Sequence, residues 1–396
     1  MSEWKEVKLG EVSEVTSSKR IFYSDYVSEG IPFWRSKEII EKFNRKKIST
    51  DLYITSEKYF EIKNRFGVPL PNDILLTSVG TLGIPYLVED KEQFYFKDGN
   101  LTWIRNIDEK RLSPHYLYKW LASQQGRDSL REITIGSTQE ALTIIGLKNL
   151  NLFLPPLLEQ KAIASVLSSL DDKIDLLHRQ NKTLEAMAET LFRQWFVEEA
   201  QEDWEEVTIG DFVELNRASI DKNYPYQAIE YLDTGSLTEG KIESFQSFAL
   251  DDAPSRAKRL VQHNDILIST VRPDQKHYGI IKNPIENLVV STGFCVLTCT
   301  KIDPHFIYLL LTNDEMTDYL HTIAEGSTST YPSLKPSDIG SIAFQLPPHG
   351  KLEEFSVISQ NSWEKIEKNH IQIRTLETLR DTLLPKLMSG EVRVTV

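Results

Sequence analysis

Basic side chains interleaved with aromatic ones are the residues of this chain whose types best suggest a ligand. The first set comprises Lys19, Arg20, Arg35, Lys37, Lys42, Arg45, Lys46, Lys47, Lys63 and Arg65. The second comprises Arg256, Lys258, Arg259, Arg272, Lys276 and His277. Lysine and arginine neutralise phosphates, and arginine also donates paired hydrogen bonds to base edges. Each set is therefore a candidate phosphate-binding surface, although for any single member an ordinary solvated charge is the favoured interpretation.

Catalytic and nucleotide-binding motifs are absent from the sequence. It contains no GxxxxGK[ST], GxGxxG, HExxH or GxSxG string, and no [N/D]PP[Y/F] string of the kind with which amino-methyltransferases hold a flipped base. His115 and His305 occupy equivalent places after a proline that begins a helix, and we interpret them as structural. Cys295 and Cys299 lie four residues apart without a nearby histidine, which favours two buried thiols over a zinc site. These patterns predict a binding protein with no catalytic residue, metal or cofactor of its own.

Net charge limits how such a protein could hold DNA. The chain has 396 residues, a net charge of −13 and 40% hydrophobic residues. Residues 1–156 carry a net charge of +1, whereas residues 200–348 carry −11. Bulk electrostatics therefore argue against tight nucleic-acid binding by this chain alone, and favour local basic patches or basic partners. A charged N-terminal segment predicts no signal peptide, and no apolar run is long enough for a membrane span, so we expect a cytoplasmic protein.

An internal repeat organises the chain. The matching strings keep the same order in both halves, at offsets between 190 and 200 residues: 4–11 with 204–211, 72–76 with 264–268, 114–118 with 304–308, and 136–138 with 326–328. Between these strings the halves diverge, and residues 31–50 have no convincing counterpart around residues 227–243. A shared frame with divergent filling indicates two versions of one scaffold that recognise different targets, with neutral drift after duplication as the alternative.

Each half ends in a long stretch whose apolar residues recur at alternating steps of four and three. These stretches, residues 157–197 and 351–388, both follow a double proline. The spacing is that of a heptad seam, which a second helix must cover. We predict antiparallel pairing in which the numbers of facing residues sum to 550, with Asn181 opposite Asn369 and Trp195 covering Phe355. The predicted pairing residues are Ile174, Leu177, Asn181, Leu184, Ile366, Asn369, Ile373 and Leu376.

The fold class that follows is α+β. We expect two similar α+β domains in tandem, each followed by a long helix, with the two helices pairing as an antiparallel coiled coil. The predicted boundaries are 1–156 for the first domain, 157–199 for its helix, 200–348 for the second domain and 349–396 for the last helix. Within each domain, short β-branched runs predict strands, and residues 114–125 and 304–322 each predict a single helix.

These repeated strings resemble those of the DNA specificity subunits of type I restriction–modification enzymes, over essentially the whole chain. The resemblance is carried by the W-x-x-V-x-[LI]-G-[DE] starts at Trp4 and Trp204, the Asn-Asp-Ile-Leu strings at Asn72 and Asn264, Gly-Ser-Thr at Gly136 and Gly326, and Leu-Pro-Pro at Leu154 and Leu346. Two further strings, at 229–235 and 270–273, look typical of the second domain. The first domain departs from the latter, with Val-Gly-Thr at 79–81.

The resemblance implies a function and partners. Two target-recognition domains would each read one half of an asymmetric, bipartite sequence in double-stranded DNA, and the helices would set the unread gap. Two methyltransferase subunits would dock on the helices and carry S-adenosylmethionine, and motor–nuclease subunits would use ATP and magnesium. The chain itself would be non-catalytic and would hold no cofactor.

With this resemblance, the basic sets become candidate DNA contacts, and three polar or basic residues join them: Thr81, Arg217 and Ser329. Two rival interpretations stay open at this point. One is a two-domain adaptor that binds proteins and has no affinity for DNA, which leaves the basic sets unexplained. The other is a remnant of a fused enzyme, which the missing [N/D]PP[Y/F] string argues against.

Overall fold

Two compact units make up the chain. A computed structural model describes residues 4–89, 93–136, 140–326 and 332–394. The first unit comprises residues 1–176 together with 373–396, and the second comprises residues 177–372. Each unit therefore contains a segment of both long helices. No helix among the described residues is both long and apolar enough to cross a membrane.

The first unit is a mixture of short strands and helices. Its strands are β1 (Lys5–Lys8), β2 (Glu14–Thr16), β3 (Tyr26–Val27), β4 (Ile31–Trp34), β5 (Tyr53–Ile54), β6 (Ile74–Thr77), β7 (Pro85–Leu87), β8 (Tyr95–Phe96), β9 (Leu101–Arg105) and β10 (Asn151–Leu154). Its helices are α1 (Leu9–Val12), α2 (Ser36–Phe43), α3 (Ser56–Phe66), α4 (Pro114–Ala122), α5 (Gln124–Glu132), α6 (Ile144–Lys148) and the start of α7 (Leu157–Arg193). The sheets have the orders β1-β10, β2-β9-β6-β7 and β3-β5-β4-β8.

The second unit repeats this composition. Its strands are β11 (Glu205–Thr208), β12 (Val213–Leu215), β13 (Ala228–Leu232), β14 (Leu237–Thr238), β15 (Lys241–Ile242), β16 (Gln246–Ala249), β17 (Ala257–Leu260), β18 (Ile266–Ser269), β19 (Tyr278–Ile280), β20 (Leu288–Ser291), β21 (Phe294–Cys299) and β22 (Ala343–Leu346). Its helices are α8 (Pro304–Thr312), α9 (Asp314–Glu325), α10 (Pro336–Gly340) and most of α11 (His349–Ser389). The sheets have the orders β11-β22, β12-β21-β18-β19, β16-β13-β20-β17 and β14-β15.

The strings repeated in the sequence form the same frame in both units. The Asn-Asp-Ile-Leu strings lead into β6 and β18, which are fully buried and lie at equivalent positions in the sheets β2-β9-β6-β7 and β12-β21-β18-β19. The tryptophan-led starts form β1 and β11, which pair antiparallel with β10 and β22. Two similar α+β units in tandem are therefore confirmed.

In each unit the segments between the repeated strings form a second sheet. These two sheets resemble each other more than their sequences indicate. Strand β4 pairs in parallel with β8, and β13 pairs in parallel with β20. The absence of a sequence counterpart for residues 31–50 therefore conceals an equivalent strand pair. The two units differ in the elements that accompany this strand pair. In the first unit α2 precedes β5 and α3 follows it, whereas the second unit has the strands β14 to β17.

The predicted single helix of each domain is in fact two, which corrects the expectation for residues 114–125 and 304–322. Helix α4 ends at Ser123, whose hydroxyl oxygen accepts a hydrogen bond from the Gly126 N–H and so begins α5. Asn313 does the same between α8 and α9 by accepting from the Met316 N–H. Serine and asparagine side chains satisfy the otherwise unpaired N–H groups of a helix start, so one residue ends a helix and begins the next.

Helices α7 and α11 run antiparallel within each unit. In the first unit Glu159 pairs with Arg393, and Asp171 pairs with Arg380 at 3.1 Å. In the second unit the ring of Phe196 lies 5.1 Å from that of Phe355. Residues with higher numbers on α7 therefore contact residues with lower numbers on α11, so the predicted antiparallel coiled coil is confirmed. Among the predicted pairing residues, Ile174, Leu177, Ile366 and Ile373 are buried, whereas Leu184 and Leu376 are half-buried.

The two seam asparagines meet in the interior of the second unit. Asn369 donates from Nδ2 to Oδ1 of Asn181 at 2.7 Å, the facing that a sum of 550 requires. It also donates to Oε1 of Gln180 at 3.0 Å. We expected two hydrogen bonds between the two amides, but only one forms. Asn181 Nδ2 and Asn369 Oδ1 have no hydrogen-bond partner among the described residues. One hydrogen bond still favours this register over one that places an amide against an aliphatic side chain.

The predicted cover of Phe355 by Trp195 is wrong. Phe192 and Phe196 pack against Phe355 instead, with ring centroids 6.1 and 5.1 Å away. Residues Gln194–Glu198 form a π-helical turn, which takes more residues per turn than an α-helix. The heptad register therefore slips at this point, and Phe196 takes the place that the spacing assigns to Trp195.

We expect the asparagine pair to behave as a coupled unit. Replacing Asn369 by Leu should lower the free energy of unfolding by about 1–3 kcal/mol, because Asn181 is then buried without its donor. The double replacement N181L/N369L should cost less than the sum of the two single replacements, since no polar group is left unpaired. Chemical denaturation of all four proteins measures this, and strictly additive effects would contradict the pairing.

Candidate nucleic-acid interface

One loop is anchored identically in both units at the end of the shared sheet. We call it the tip loop, residues 78–83 in the first unit and 270–276 in the second. In the first unit Ser78 N–H donates to Asn100 O at 2.8 Å, and Leu142 N–H donates to Ser78 O at 3.0 Å. In the second unit Thr270 N–H donates to Gly293 O at 2.8 Å, and Leu334 N–H donates to Thr270 O at 2.8 Å. The same frame therefore presents two different loops.

Two predicted DNA contacts of the second unit come together at its tip loop. Arg272 is exposed on the loop. Arg256 is also exposed, and its carbonyl accepts from Thr292 N–H at 2.8 Å, one residue before the Gly293 that anchors Thr270. Two guanidinium groups thus belong to one end of the domain, although 16 positions separate them in the sequence. Pro273 of the same loop is buried.

The tip loop of the first unit presents glycine rather than arginine. Gly80 and Gly99 both have left-handed backbones, and a Cβ placed on either would meet nothing within 4 Å. The predicted contact Thr81 is exposed beside Gly80. Arg20, also predicted, lies near this surface because its Nε is 3.3 Å from Asp98, the neighbour of Gly99. A bare main chain with one flanking arginine suits close approach of a ligand backbone.

Three other predicted residues of the first unit already have partners within it. Arg35 contacts Glu38 at 2.8 Å and Asp51 at 2.6 Å, and hydrogen bonding to Glu38 raises its pKa despite partial burial. Lys37 donates to Ser49 O at 3.2 Å, and Arg45 lies 3.2 Å from Asp171. Asp171 also binds Lys119 and Arg380, and these cations hold the pKa of its carboxyl below the usual value against the opposing effect of burial. The positions next to Arg45 are exposed lysines, Lys46 and Lys47.

The remaining predicted cations of the first unit surround exposed aromatic rings. Lys19 lies over the ring of Phe66 at 4.8 Å, Arg65 over the same ring at 5.3 Å, and Lys63 over Phe60 at 6.0 Å. Cation–π contacts of this kind hold long side chains close to the surface. Aromatic and basic residues are interleaved in the sequence of this region, and in α3 the basic side chains lie directly over the aromatic rings.

The predicted DNA contacts of the second unit other than Arg256 and Arg272 differ in the protein groups that lie near them. Arg217 lies 3.4 Å from Glu214, Arg259 donates to Ser219 at 3.3 Å, and Lys258 is exposed on the edge strand β17. Lys276 binds Asp314 at 2.8 Å, and His277 contacts Leu237 O through Nδ1 at 2.7 Å. Ser329 lies outside the described residues.

A partly buried polar network in the second unit, in which only His305 is fully buried, was not predicted from the sequence. Lys282 Nζ lies 2.5 Å from Asn264 Oδ1, 2.8 Å from His305 Nε2 and 3.8 Å from Glu367 Oε1. His305 in turn contacts Asp303 at 3.1 Å. Burial lowers the pKa of Lys282 to about 8, although Glu367 opposes the shift. Burial also lowers the pKa of His305, whose neutral ring accepts from the ammonium group. A single lysine within an Ile-Ile-Lys-Asn string gives no signal of this environment.

The equivalent histidines therefore differ. His305 is buried and structural, as we interpreted it, but His115 is exposed at a cavity of about 330 Å³ beside Asn72, Glu109 and Lys161. Burial raises the pKa of Cys295 and of Cys299 to about 12. Neither thiol is in a disulfide. Among the described residues there is no cluster of three or more His, Cys, Asp or Glu side chains suited to a metal ion.

Comparison with known proteins gives a consistent assignment. The family described as "Type I restriction modification DNA specificity domain" matches this chain twice, over residues 1–186 and 201–378. The MjaIX specificity subunit of Methanocaldococcus jannaschii is 27% identical over 348 residues, which span 81% of this chain and 78% of that protein. The HindI specificity subunit of Haemophilus influenzae is 30% identical over 183 residues. That alignment spans 46% of this chain but only 40% of the HindI subunit.

A solved structure shares the fold. The crystal structure of a type I restriction–modification S subunit from M. genitalium covers 98% of this chain and 96% of its own, with a TM-score of 0.64 and 16% identity. At that level of identity the likeness concerns the fold alone. It agrees with the tandem units and the paired long helices.

Lys282 is expected to make stability depend on pH. Its pKa of about 8 in the folded chain lies below the ordinary lysine value, so between about pH 8 and 10 the unfolded chain binds more protons than the folded one. Lys282 therefore contributes stability that rises with pH across this window, whereas Cys295 and Cys299, whose thiols lose their protons first in the unfolded chain, contribute a fall. Thermal unfolding should therefore show stability falling more steeply with pH in K282M than in the wild type and in K258M, which replaces an exposed lysine. Parallel pH profiles for wild type and K282M would contradict the assignment.

Proposed function

We propose a function for this chain from the family to which it belongs, that of the type I restriction modification DNA specificity proteins. In this proposal the chain is the subunit that chooses the DNA sequence, and it performs no chemistry itself. Each unit reads one half of an asymmetric, bipartite target in double-stranded DNA. The two long helices act as the spacer that sets the unread gap between the half-sites.

The observation that carries this proposal is the duplicated tip loop. Equivalent main-chain hydrogen bonds hold it in both units, yet the first copy carries Gly80 and Gly83, whereas the second carries Arg272 and Lys276. A scaffold that keeps its frame and changes only its exposed loop suits the recognition of two different ligands of the same kind. DNA half-sites are such ligands, since the backbone is constant and the base edges vary.

Partner subunits would supply what this chain lacks. With a net charge of −13 it has little electrostatic attraction for DNA overall, so two methyltransferase subunits docked on the helices would add basic surface and bind S-adenosylmethionine. The base to be methylated must be flipped out of the duplex into a pocket, which these subunits would also provide. Motor–nuclease subunits with ATP and magnesium would join for cleavage. In this proposal the whole complex acts on DNA in the cytoplasm.

The alternative function is a two-domain adaptor that binds proteins only. It predicts no DNA affinity under any condition, and it gives no reason for the exposed Arg272 on the tip loop of an acidic unit. The family assignment does not favour it.

The first test compares the chain with and without its partners. We expect the isolated chain to bind DNA weakly, whereas the complex with methyltransferase subunits should bind one bipartite duplex at least about a thousandfold more tightly than unrelated DNA. Mobility-shift assays at fixed salt measure both. Tight, specific binding by the chain alone would contradict the role assigned to the partners, and no binding in the complex would favour the adaptor.

The second test changes the spacer. Four residues inserted after Asn181 and four before Asn369 keep these amides facing and lengthen both helices by roughly 6 Å. Four residues also keep the heptad seam approximately in phase. We expect the unread gap in the methylated sequence to grow by about one or two base pairs, each of which rises about 3.4 Å, with both half-sites retained. An insertion in one helix alone is the control, because it separates Asn181 from Asn369 and should lower stability. An unchanged gap in an active complex would rule out the spacer role.

A further inference from the structure

Asp171 binds three cations that come from three different parts of the first unit. Its carboxylate lies 2.6 Å from the ammonium group of Lys119 on α4, 3.1 Å from the guanidinium group of Arg380 on α11 and 3.2 Å from that of Arg45. Arg45 also donates to the main-chain carbonyl of Asp171 at 3.1 Å, so it is held at two points. The Asp171 side chain is only 20% exposed, and screening of these contacts by solvent is therefore reduced.

Arg45 belongs to the part of the first unit that diverges from the second. It follows α2 with a left-handed backbone, at a φ of 56°, within the segment 31–50 that has no convincing sequence counterpart. A second contact holds the same loop four residues later, because Ser49 N–H donates to Oε2 of Glu41 at 2.9 Å. The exposed Lys46 and Lys47 lie between these two fixed points. An anchored loop presents its side chains in one place, since its backbone has already lost its conformational freedom.

The second unit shows that the shared frame does not require charge at this point. At the offset of 192 residues that relates the two Leu-Pro-Pro strings, the counterpart of Asp171 is Trp363. At the offset of 190 residues that relates the starts of α4 and α8, the counterpart of Lys119 is Leu309. Trp363 and Leu309 are both buried. Apolar side chains therefore take the places in one unit that an ion pair takes in the other.

Stability gives no reason to prefer the ion pair at this point. Removing charged groups from water costs free energy, and packed apolar side chains often replace a buried ion pair with no loss of stability. What an apolar residue in place of Asp171 could not provide is a charged partner for Arg45. The carboxylate joins the divergent segment to α4 and to both long helices, so its distinctive contribution is to place that segment.

We propose that Asp171 is a positioning residue for DNA recognition by the first unit: through Arg45 it fixes the loop that presents Lys46 and Lys47 to the DNA backbone. The inference rests on the proposed function. Lysine ammonium groups bind phosphates and so set the register of a protein on the duplex. Arg45 itself, which the sequence suggested as a DNA contact, holds the loop from the protein side, and Asp171 acts only through it.

The sign of one substitution separates positioning from direct contact. If Arg45 bound DNA itself, D171N would remove a neighbouring negative charge and would leave DNA affinity unchanged or raise it. If Arg45 holds the loop, D171N should lower the affinity, as R45M does. D172N is the matched control, because Asp172 is the exposed neighbour of Asp171 on the same helix and its replacement removes the same charge.

The test uses the full chain in complex with its methyltransferase subunits and the duplex that the wild-type complex methylates. We expect D171N and R45M each to lower the affinity about tenfold, and to reduce the slope of log affinity against log salt concentration by about two, one for each lysine. K46M/K47M should reproduce both effects. The double variant R45M/D171N should bind no more weakly than either single variant, since both break the same connection. D172N should keep the wild-type affinity and slope.

R45M keeps the proposal testable if D171N does not fold, because Lys119 and Arg380 then retain their carboxylate partner. Direct contact by Arg45 would reduce the salt slope by about one, whereas loss of the loop position should reduce it by about two. Hydroxyl-radical footprints of the R45M complex should lose protection in one half-site only.

Four results would overturn the proposal. Wild-type or higher affinity in D171N would show that the loop does not depend on Asp171. A salt slope reduced by only about one in R45M would make Arg45 itself the phosphate contact. Wild-type affinity in K46M/K47M would show that the loop does not bind DNA. Loss of a methyltransferase subunit from the purified R45M complex would assign the residue to a protein interface. Failure of the wild-type complex to bind any duplex is a different outcome, because it refutes the proposed function itself.

Discussion

An apolar seam on a long helix must be covered, and the rest of this structure depends on how that requirement is met. Helices α7 and α11 have 37 and 41 residues, far more than a single small domain can bury along one face. Each supplies a segment to both compact units, so each unit is completed by two antiparallel helical segments. The Asn181–Asn369 hydrogen bond favours this register, since a shift by one heptad to a sum of 543 would place Asn369 against Ile174, which cannot pair with it.

The sequence predicted most of the architecture because the architecture is periodic or repeated. Heptad spacing located both long helices and the partner of Asn181, and the repeated strings located the frame strands β6 and β18. The predictions of helix ends and of ring contacts were wrong where a few residues change the local helix geometry. Ser123 and Asn313 divide predicted single helices by capping a second one, and the π-helical turn after Arg193 moves Phe196 into the place assigned to Trp195. Neither event alters the composition of its segment, so pattern arguments cannot detect it.

Prediction of the candidate site was less complete, for a different reason. Residue type identified the cations but could not show which of them have acidic partners within their unit, as Arg35 and Lys276 do. Partners such as Asp51 and Asp314 lie 16 and 38 positions away in sequence and become neighbours only through the fold. Lys282 shows the converse, since an ordinary lysine in the sequence becomes a half-buried cation with a lowered pKa.

The composition of the two units has a consequence for biosynthesis. Residues 177–372 form the second unit as one uninterrupted segment, so it can fold as soon as the ribosome has released that segment. The first unit is discontinuous: Arg393 binds Glu159, and the ring of Trp4 packs against Gly390. Most of its residues leave the ribosome first, yet its apolar surface around Leu167 is closed by Leu387 and Met388, which are translated some 220 residues later. The order of synthesis and the order of completion are therefore opposite, and the unit made first stays incompletely covered until Leu387 and Met388 have been translated. During that interval it has the exposed surface that chaperones recognise.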